Sequence, residues 1–280
     1  MRKINVEKIK SAVARLAIEA NFVLRADVVR AIRKVYAAEK NQKAKGVLKI
    51  LLANAAIAKS EKIAICQDTG MAVVFIEIGQ GVSLTGGGLS AAVNNGIREG
   101  YKKGCLRKSV VADPFLRTNT KDNAPAVIHE VIVPGDKIKI TVMPKGFGSE
   151  NKTVIKMFNP TQGAEDVASF IVEAVRKAGA DACPPYIVGV GIGGTVDKAC
   201  LLSKEALMRP VDKRNVKRHV AKLETALLKK INALKIGPMG FGGGATCLGV
   251  NIETYPTHIA GLPVCVSISC HATRSATAIL

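Results

Sequence analysis

Apolar side chains return every three or four positions through the opening stretch of the chain. Ile9, Val13, Leu16 and Ala20 fall on one helical face, as do Val28, Ile32 and Val35. Asp27 stands where it can cap the second of these helices. The run "KGVLKILLANAAIAKS" predicts a third helix, with Val47, Ile50, Leu51 and Asn54 on a shared face. The pattern then changes. "MAVVFIEIG" is a β-rich apolar run that ends at a glycine. A helix follows, with Val93, Ile97 and Tyr101 on one side, and "AVIHEVIVPGDKIKITVMPKG" predicts two strands joined at Pro134-Gly135-Asp136. Residues 163–179 are predicted helical, with Val167, Phe170, Ile171, Ala174 and Val175 sharing a face. "YIVGVGIGG" reads as a buried strand entering a glycine turn, and a helix rich in Lys and Leu is predicted over roughly 213–235. The remainder alternates glycine turns with short apolar runs. No repeat, low-complexity tract or interdomain linker interrupts this order. The expected fold is mixed α/β, of the α+β class. A helical portion (about 1–60) packs on the β-sheet core of a mixed α/β portion (about 61–280) within a single domain spanning 1–280.

Composition narrows the picture. With 280 residues and 48% hydrophobic content, the chain can bury a sizeable core and is not disordered. Aromatics make up 4% and Trp is absent, so that core must be built from Ile, Val, Leu and Ala. No stretch approaches the roughly 18 charge-free apolar residues of a membrane helix. "MRKINVEKIKSAVARL" has charges throughout and no apolar h-region, so it is not a secretory signal. A soluble, cytoplasmic protein is expected. Seven cysteines is an odd number, which argues against a complete disulfide framework and for thiols that are buried, catalytic or metal-bound. The net charge of +19 suits nucleic acid, an acidic partner or small anions, and a solvated basic surface accounts for it as well. A nucleic-acid-binding protein is the non-enzyme alternative. Against it, aromatics are too few for stacking platforms, and the Lys and Arg residues are scattered.

Reactive side chains concentrate beside turn glycines in "CQDTG" (66–70), "KGFGSENKT" (145–153), "CPPYIVGVGIGGT" (183–195) and "YPTHIAGLPVCVSISCHATR" (255–274). None has the paired C-x-x-C spacing of a zinc ribbon or a ferredoxin run. A zinc site from Cys265, Cys270 and His271 fits no standard spacing either. Taken alone, Asp68 before Thr69-Gly70 reads equally as a turn cap, Arg107 as a surface charge and His258 as a structural histidine.

Together with "LRKSVVADPFLRTNTKDNAPAVIHE", these separated motifs occur in an order that resembles the alpha subunit of the class I, iron–sulfur-dependent fumarate hydratases and their L-tartrate dehydratase relatives. The resemblance runs nearly end to end. It implies a [4Fe–4S] cluster held by Cys66, Cys183 and Cys270, with one iron left open as a Lewis acid. Cys105, Cys200, Cys247 and Cys265 are then structural. It also implies that Gln67 and Asp68 face the substrate, with Asp68 protonating the leaving hydroxyl. Arg107 matches a substrate-carboxylate arginine. Gly146, Ser149, Asn151 and Lys152 match a substrate-binding glycine loop, in which Phe147 replaces the usual middle glycine. His258 matches a histidine near the substrate. The implied reaction is the reversible hydration of fumarate to (S)-malate, with L(+)-tartrate dehydration as the alternative. The base for the C3 proton belongs to the family's other half, which nothing in this sequence matches. A separate beta subunit is therefore expected, with a dimer of alpha–beta heterodimers as the default assembly.

Overall fold

Helices and strands follow in the order β1 (Arg2–Asn5), α1 (Val6–Phe22), α2 (Ala26–Ala38), α3 (Gln42–Glu61), β2 (Met71–Gly79), β3 (Val82–Thr85), α4 (Leu89–Lys103), β4 (Val127–Val133) and β5 (Ile138–Lys145). Then come α5 (Phe147–Glu150), β6 (Val154–Phe158), α6 (Ala164–Ala178), β7 (Tyr186–Ile192), α7 (Val196–Met208), α8 (Arg218–Asn232), β8 (Cys247–Thr254), β9 (Leu262–Ser269) and β10 (Ala276–Ile279). The computed structural model describes all 280 residues. They form two units: Met1–Arg25, Ala55–Phe147 and Arg274–Leu280 in the first, Ala26–Asn54 and Gly148–Thr273 in the second. The fold is mixed, α+β, as the pattern predicts. No helix is long and apolar enough to cross a membrane.

The first unit is built on a four-stranded sheet of order β10-β5-β2-β4, with a separate parallel pair β1-β3. Strict alternation along β2 and β5 sends Ala72, Val74, Ile76, Ile138, Ile140 and Val142 to one face. There they meet Ile9, Val13 and Leu16 of α1, and Val93, Ile97 and Tyr101 of α4 pack in the same core. Each fully buried Ile or Leu contributes about 1.5–3 kcal/mol relative to exposure. Helices α1 and α4 approach closely because α4 presents glycines: a Cβ at Gly96 would lie 2.6 Å from the Lys10 carbonyl oxygen. The two strands predicted on either side of Pro134-Gly135-Asp136 are present, but they do not pair with each other. β2 lies between them, parallel to β4 and antiparallel to β5.

In the second unit the sheet order is β6-β9-β7-β8. Tyr186, Val188 and Val190 of β7 face a core shared with α6 and α8. The alternate positions Gly189 and Gly191 face α7, where a Cβ would come within 2.2 Å of the Ser203 carbonyl and 2.0 Å of the Ala199 carbonyl. These two glycines of "GVGIGG" thus admit a helix against the strand. That helix, α7, has no counterpart in the pattern reading. Two further details differ from expectation. Along α3 the buried residues are Ala44, Leu48, Leu51, Ala55 and Ala58, while Ile50 is 66% exposed. Asp27 lies inside α2, where its carboxylate accepts the Val211 amide at 2.9 Å.

Candidate active site

The loop at 66–70 is fixed from several directions within the first unit. Gly70 has φ +76°, and a Cβ there would sit 2.7 Å from the Lys145 nitrogen, so only glycine fits the close approach to the end of β5. The fully buried Tyr101 of α4 directs its hydroxyl at the Thr69 and Gly70 carbonyls, 2.8 and 2.9 Å away. Burial raises the pKa of that phenol above its ordinary value. Asn123, also fully buried, donates to the Gly70 carbonyl at 3.1 Å and accepts the Ser109 amide at 2.7 Å. The Thr69 hydroxyl donates to the Arg107 carbonyl at 2.8 Å. These bonds satisfy the loop's buried polar groups and leave the side chains of Gln67 and Arg107 exposed.

Asp68 is held through both its main chain and its side chain. One carboxylate oxygen accepts the Gly70 amide at 2.9 Å, the turn-capping bond, and the other accepts the Phe147 amide at 2.8 Å. Its main-chain carbonyl accepts a hydrogen bond from Arg274. Gly146 lies against it: a Cβ at that position would stand 3.1 Å from Asp68 Oδ2. The Phe147 amide is therefore committed to Asp68. The Cys66 thiol is partly exposed and lies 3.3 Å from Gln67 Oε1.

In the second unit, Cys183 and Cys270 belong to adjoining segments. Cys183 leads into β7, Cys270 directly follows β9, and the His271 amide donates to the Cys183 carbonyl at 3.1 Å. Lys152 joins the same neighbourhood through a 3.0 Å ion pair with Asp181. The Lys152 amide donates to the Ser149 carbonyl at 3.2 Å, and Asn151 is exposed beside it. His258 lies elsewhere. Its loop continues β8 past Thr254 and returns into β9 beside Ile192, whereas Cys183 and Cys270 flank the other end of the β7–β9 ladder. The length of that ladder, roughly 20 Å at about 3.3 Å per residue, separates them. The His258 side chain is exposed, with Nδ1 accepting the Ala260 amide at 3.2 Å.

Donor chemistry separates the cysteines in part. All seven are free. Cys247 and Cys265 are buried, and desolvation pushes both thiols up to about 12, which makes them poor thiolate donors. Cys66, Cys183, Cys200 and Cys270 are partly exposed, and Cys105 is exposed. Within neither unit do three His, Cys, Asp or Glu side chains gather around a single-ion position, so the zinc reading of Cys265, Cys270 and His271 has no site. A cubane makes a different demand, one thiolate for each ligated iron, and the three partly exposed thiols of Cys66, Cys183 and Cys270 suit that donor set chemically. Pattern reasoning missed Tyr101, Asn123 and Arg274 as parts of this site. For Arg274 the only signal in the sequence was its place in "CHATR", four positions after Cys270.

The chain is similar to known proteins along nearly its whole length. The profile of the family described as fumarate hydratase (Fumerase) matches residues 10–279. A Methanocaldococcus jannaschii protein, provisionally named L(+)-tartrate dehydratase subunit alpha, is 40% identical over 278 residues, 96% of each chain. The L(+)-tartrate dehydratase subunit alpha of Escherichia coli K12 is 31% identical over 276 residues, covering 97% of this chain and 90% of that one. This likeness places the chain in the hydro-lyase class, which adds or removes water. Specifically, it belongs to the fumarate hydratase (Fumerase) family.

Proposed function

We propose that this chain is the alpha subunit of a two-subunit cytoplasmic hydro-lyase that interconverts fumarate and water with (S)-malate. The observation that carries the reading is the Asp68 carboxylate, fixed by two main-chain amides one residue from Gln67 and two from the Cys66 thiol, in a chain of this family. Cys66, Cys183 and Cys270 would hold a [4Fe–4S] cluster. When bound, such a cluster supplies a Lewis-acidic metal corner that weakens the carbon–oxygen bond of a substrate hydroxyl.

The remaining tasks fall to side chains. Asp68 gives a proton to the departing C2 hydroxyl, and in the hydration direction it takes one from water. Arg107 and Lys152 neutralise substrate carboxylates, the former through a planar fork. Gln67, Gly146, Ser149 and Asn151 orient the diacid. We keep the C3 proton for a base on a beta subunit, whose existence is supported by the "subunit alpha" names of the relatives. The +19 charge then serves to draw dianionic substrates toward the protein, with no nucleic acid involved. L(+)-tartrate is the second reading, and the relatives' names favour it.

The test is anaerobic co-expression with the partner subunit. Iron and sulfide are then measured per alpha chain, and turnover is compared on fumarate, (S)-malate and L(+)-tartrate. About four irons with matching sulfide are expected, lost on Cys66→Ser and retained on Cys200→Ser. Protein without iron, or a full cluster in Cys66→Ser, overturns the ligand set. Turnover of L(+)-tartrate alone selects the second reading.

A further inference from the structure

Arg274 is 4% exposed, and its charged head is enclosed. One terminal nitrogen donates to the Asp68 carbonyl, and Nε donates to the Pro144 carbonyl at 3.4 Å. The other terminal nitrogen, Nη1, is buried with no hydrogen-bond partner. A Cβ at Gly146 would lie 3.7 Å from Arg274 Nη2 and 3.1 Å from Asp68 Oδ2. One guanidinium therefore meets the 66–70 loop, the turn after β5 and the segment leading into β10. Burying a cation against neutral carbonyls with one arm unpaired is unfavourable, so a simple tie between segments is a poor account of it. A planar fork does what an apolar residue or a single ammonium does not: it sets the direction of a carbonyl as well as its distance.

We propose that Arg274 is a positioning residue for Asp68. It fixes the Asp68 main chain so that the carboxylate, already held by the Gly70 and Phe147 amides, keeps one orientation toward the reacting hydroxyl. The inference deepens the hydro-lyase reading and rests on it. Arg274 touches neither substrate nor metal in this role, so its removal acts on the acid step and leaves substrate affinity alone.

The experiment compares Arg274→Lys and Arg274→Met in the assembled, cluster-loaded enzyme. Displacing a proton donor by about an ångström lowers turnover roughly 100-fold. In Arg274→Met, kcat is expected to fall by about that factor, with KM within about threefold of the parent and iron and sulfide unchanged. Arg274→Lys should restore little of it, because it keeps charge and loses the fork. Added guanidinium ion should recover part of the kcat of Arg274→Met. A kcat loss that tracks iron loss, a change confined to KM, or full rescue by Lys overturns the proposal. A second measurement does not depend on the reaction. In the alpha chain alone, hydrogen exchange at the Gly70 and Phe147 amides should quicken in Arg274→Lys, and unchanged exchange at both also overturns it. Parent protein with no hydro-lyase turnover would sink the functional reading instead, and the exchange result would still decide the role of Arg274.

Discussion

The loop carrying Asp68 and the loop carrying His258 are held in opposite ways. The first is bound by buried side chains from three directions: Tyr101 on α4, Asn123 after it, and Arg274 from the segment before β10. The second is tied mainly by its own backbone and by Thr257, which bonds the Gly194 and Gly261 carbonyls at 3.1 and 3.3 Å. Its large side chains stay in solvent, with Ile259 90% exposed. A residue at the first loop is pre-oriented by the fold, and the orientation carries an electrostatic advantage when a proton moves. At the second, the His258 side chain is held by a local bond from the Ala260 amide.

That contrast can be broken or sharpened, beginning with the largest effect. Asp68→Asn should cut turnover of the assembled enzyme by a factor on the order of 100–1,000 while iron and sulfide stay at parent levels. Unchanged turnover would remove Asp68 from the acid role and leave it a turn cap. Gly70→Ala forces an L side chain into φ +76° against the Lys145 backbone. A stability loss of about 2–4 kcal/mol is expected, read by chemical denaturation of the alpha chain. A parent-like midpoint would mean that the loop is looser than its bonds suggest.

Tyr101→Phe removes one buried hydroxyl and should cost about 1 kcal/mol, with little effect on KM. It also changes the response to alkali. The unfolded chain releases the phenol proton near 10.0, whereas the buried phenol holds it to higher pH. The folded state therefore binds more protons there, so this share of stability is present below pH 10 and falls as pH rises beyond it. The Phe variant should show a shallower alkaline decline. The smallest effect belongs to His258→Ala, for which the denaturation midpoint should stay within about 0.5 kcal/mol of the parent. If turnover nonetheless drops in the assembled enzyme, His258 acts in a site to which a second chain contributes.

Much of this architecture is written in local pattern. Helices α1, α4, α6 and α8 stand out because one apolar stripe of each meets a sheet or a neighbouring helix, and burial follows the 3.6 period. Helix α3 misleads because it is rich in alanine. Small residues pack closely, so the buried stripe is Ala44, Leu48, Leu51, Ala55 and Ala58, and larger Ile50 is left outside. Helix α7 is hidden behind glycines whose purpose lies in the packed pair rather than in either segment. At the site, "CQDTG" is legible because its unusual side chains are adjacent in sequence. Its supports are not, because Tyr101, Asn123 and Arg274 reach it from distant positions. The distance of His258 from Cys183 and Cys270 depends on which end of a strand each loop meets, and periodicity carries no such information.

The insertion of β2 between β4 and β5 bears on how the chain first acquires its shape. Residues 134–137 cannot seed a hairpin, since the strands on either side of them never become neighbours. Each pairing in this sheet instead closes a long loop, with β2 reaching forward to β4 and β5, and β5 to β10. Such nonlocal pairings are slow to form, because loop entropy is lost before any contact repays it. The carboxylate at position 68, whose partner amide at Phe147 lies just past β5, then gains that bond only once β2 and β5 have paired.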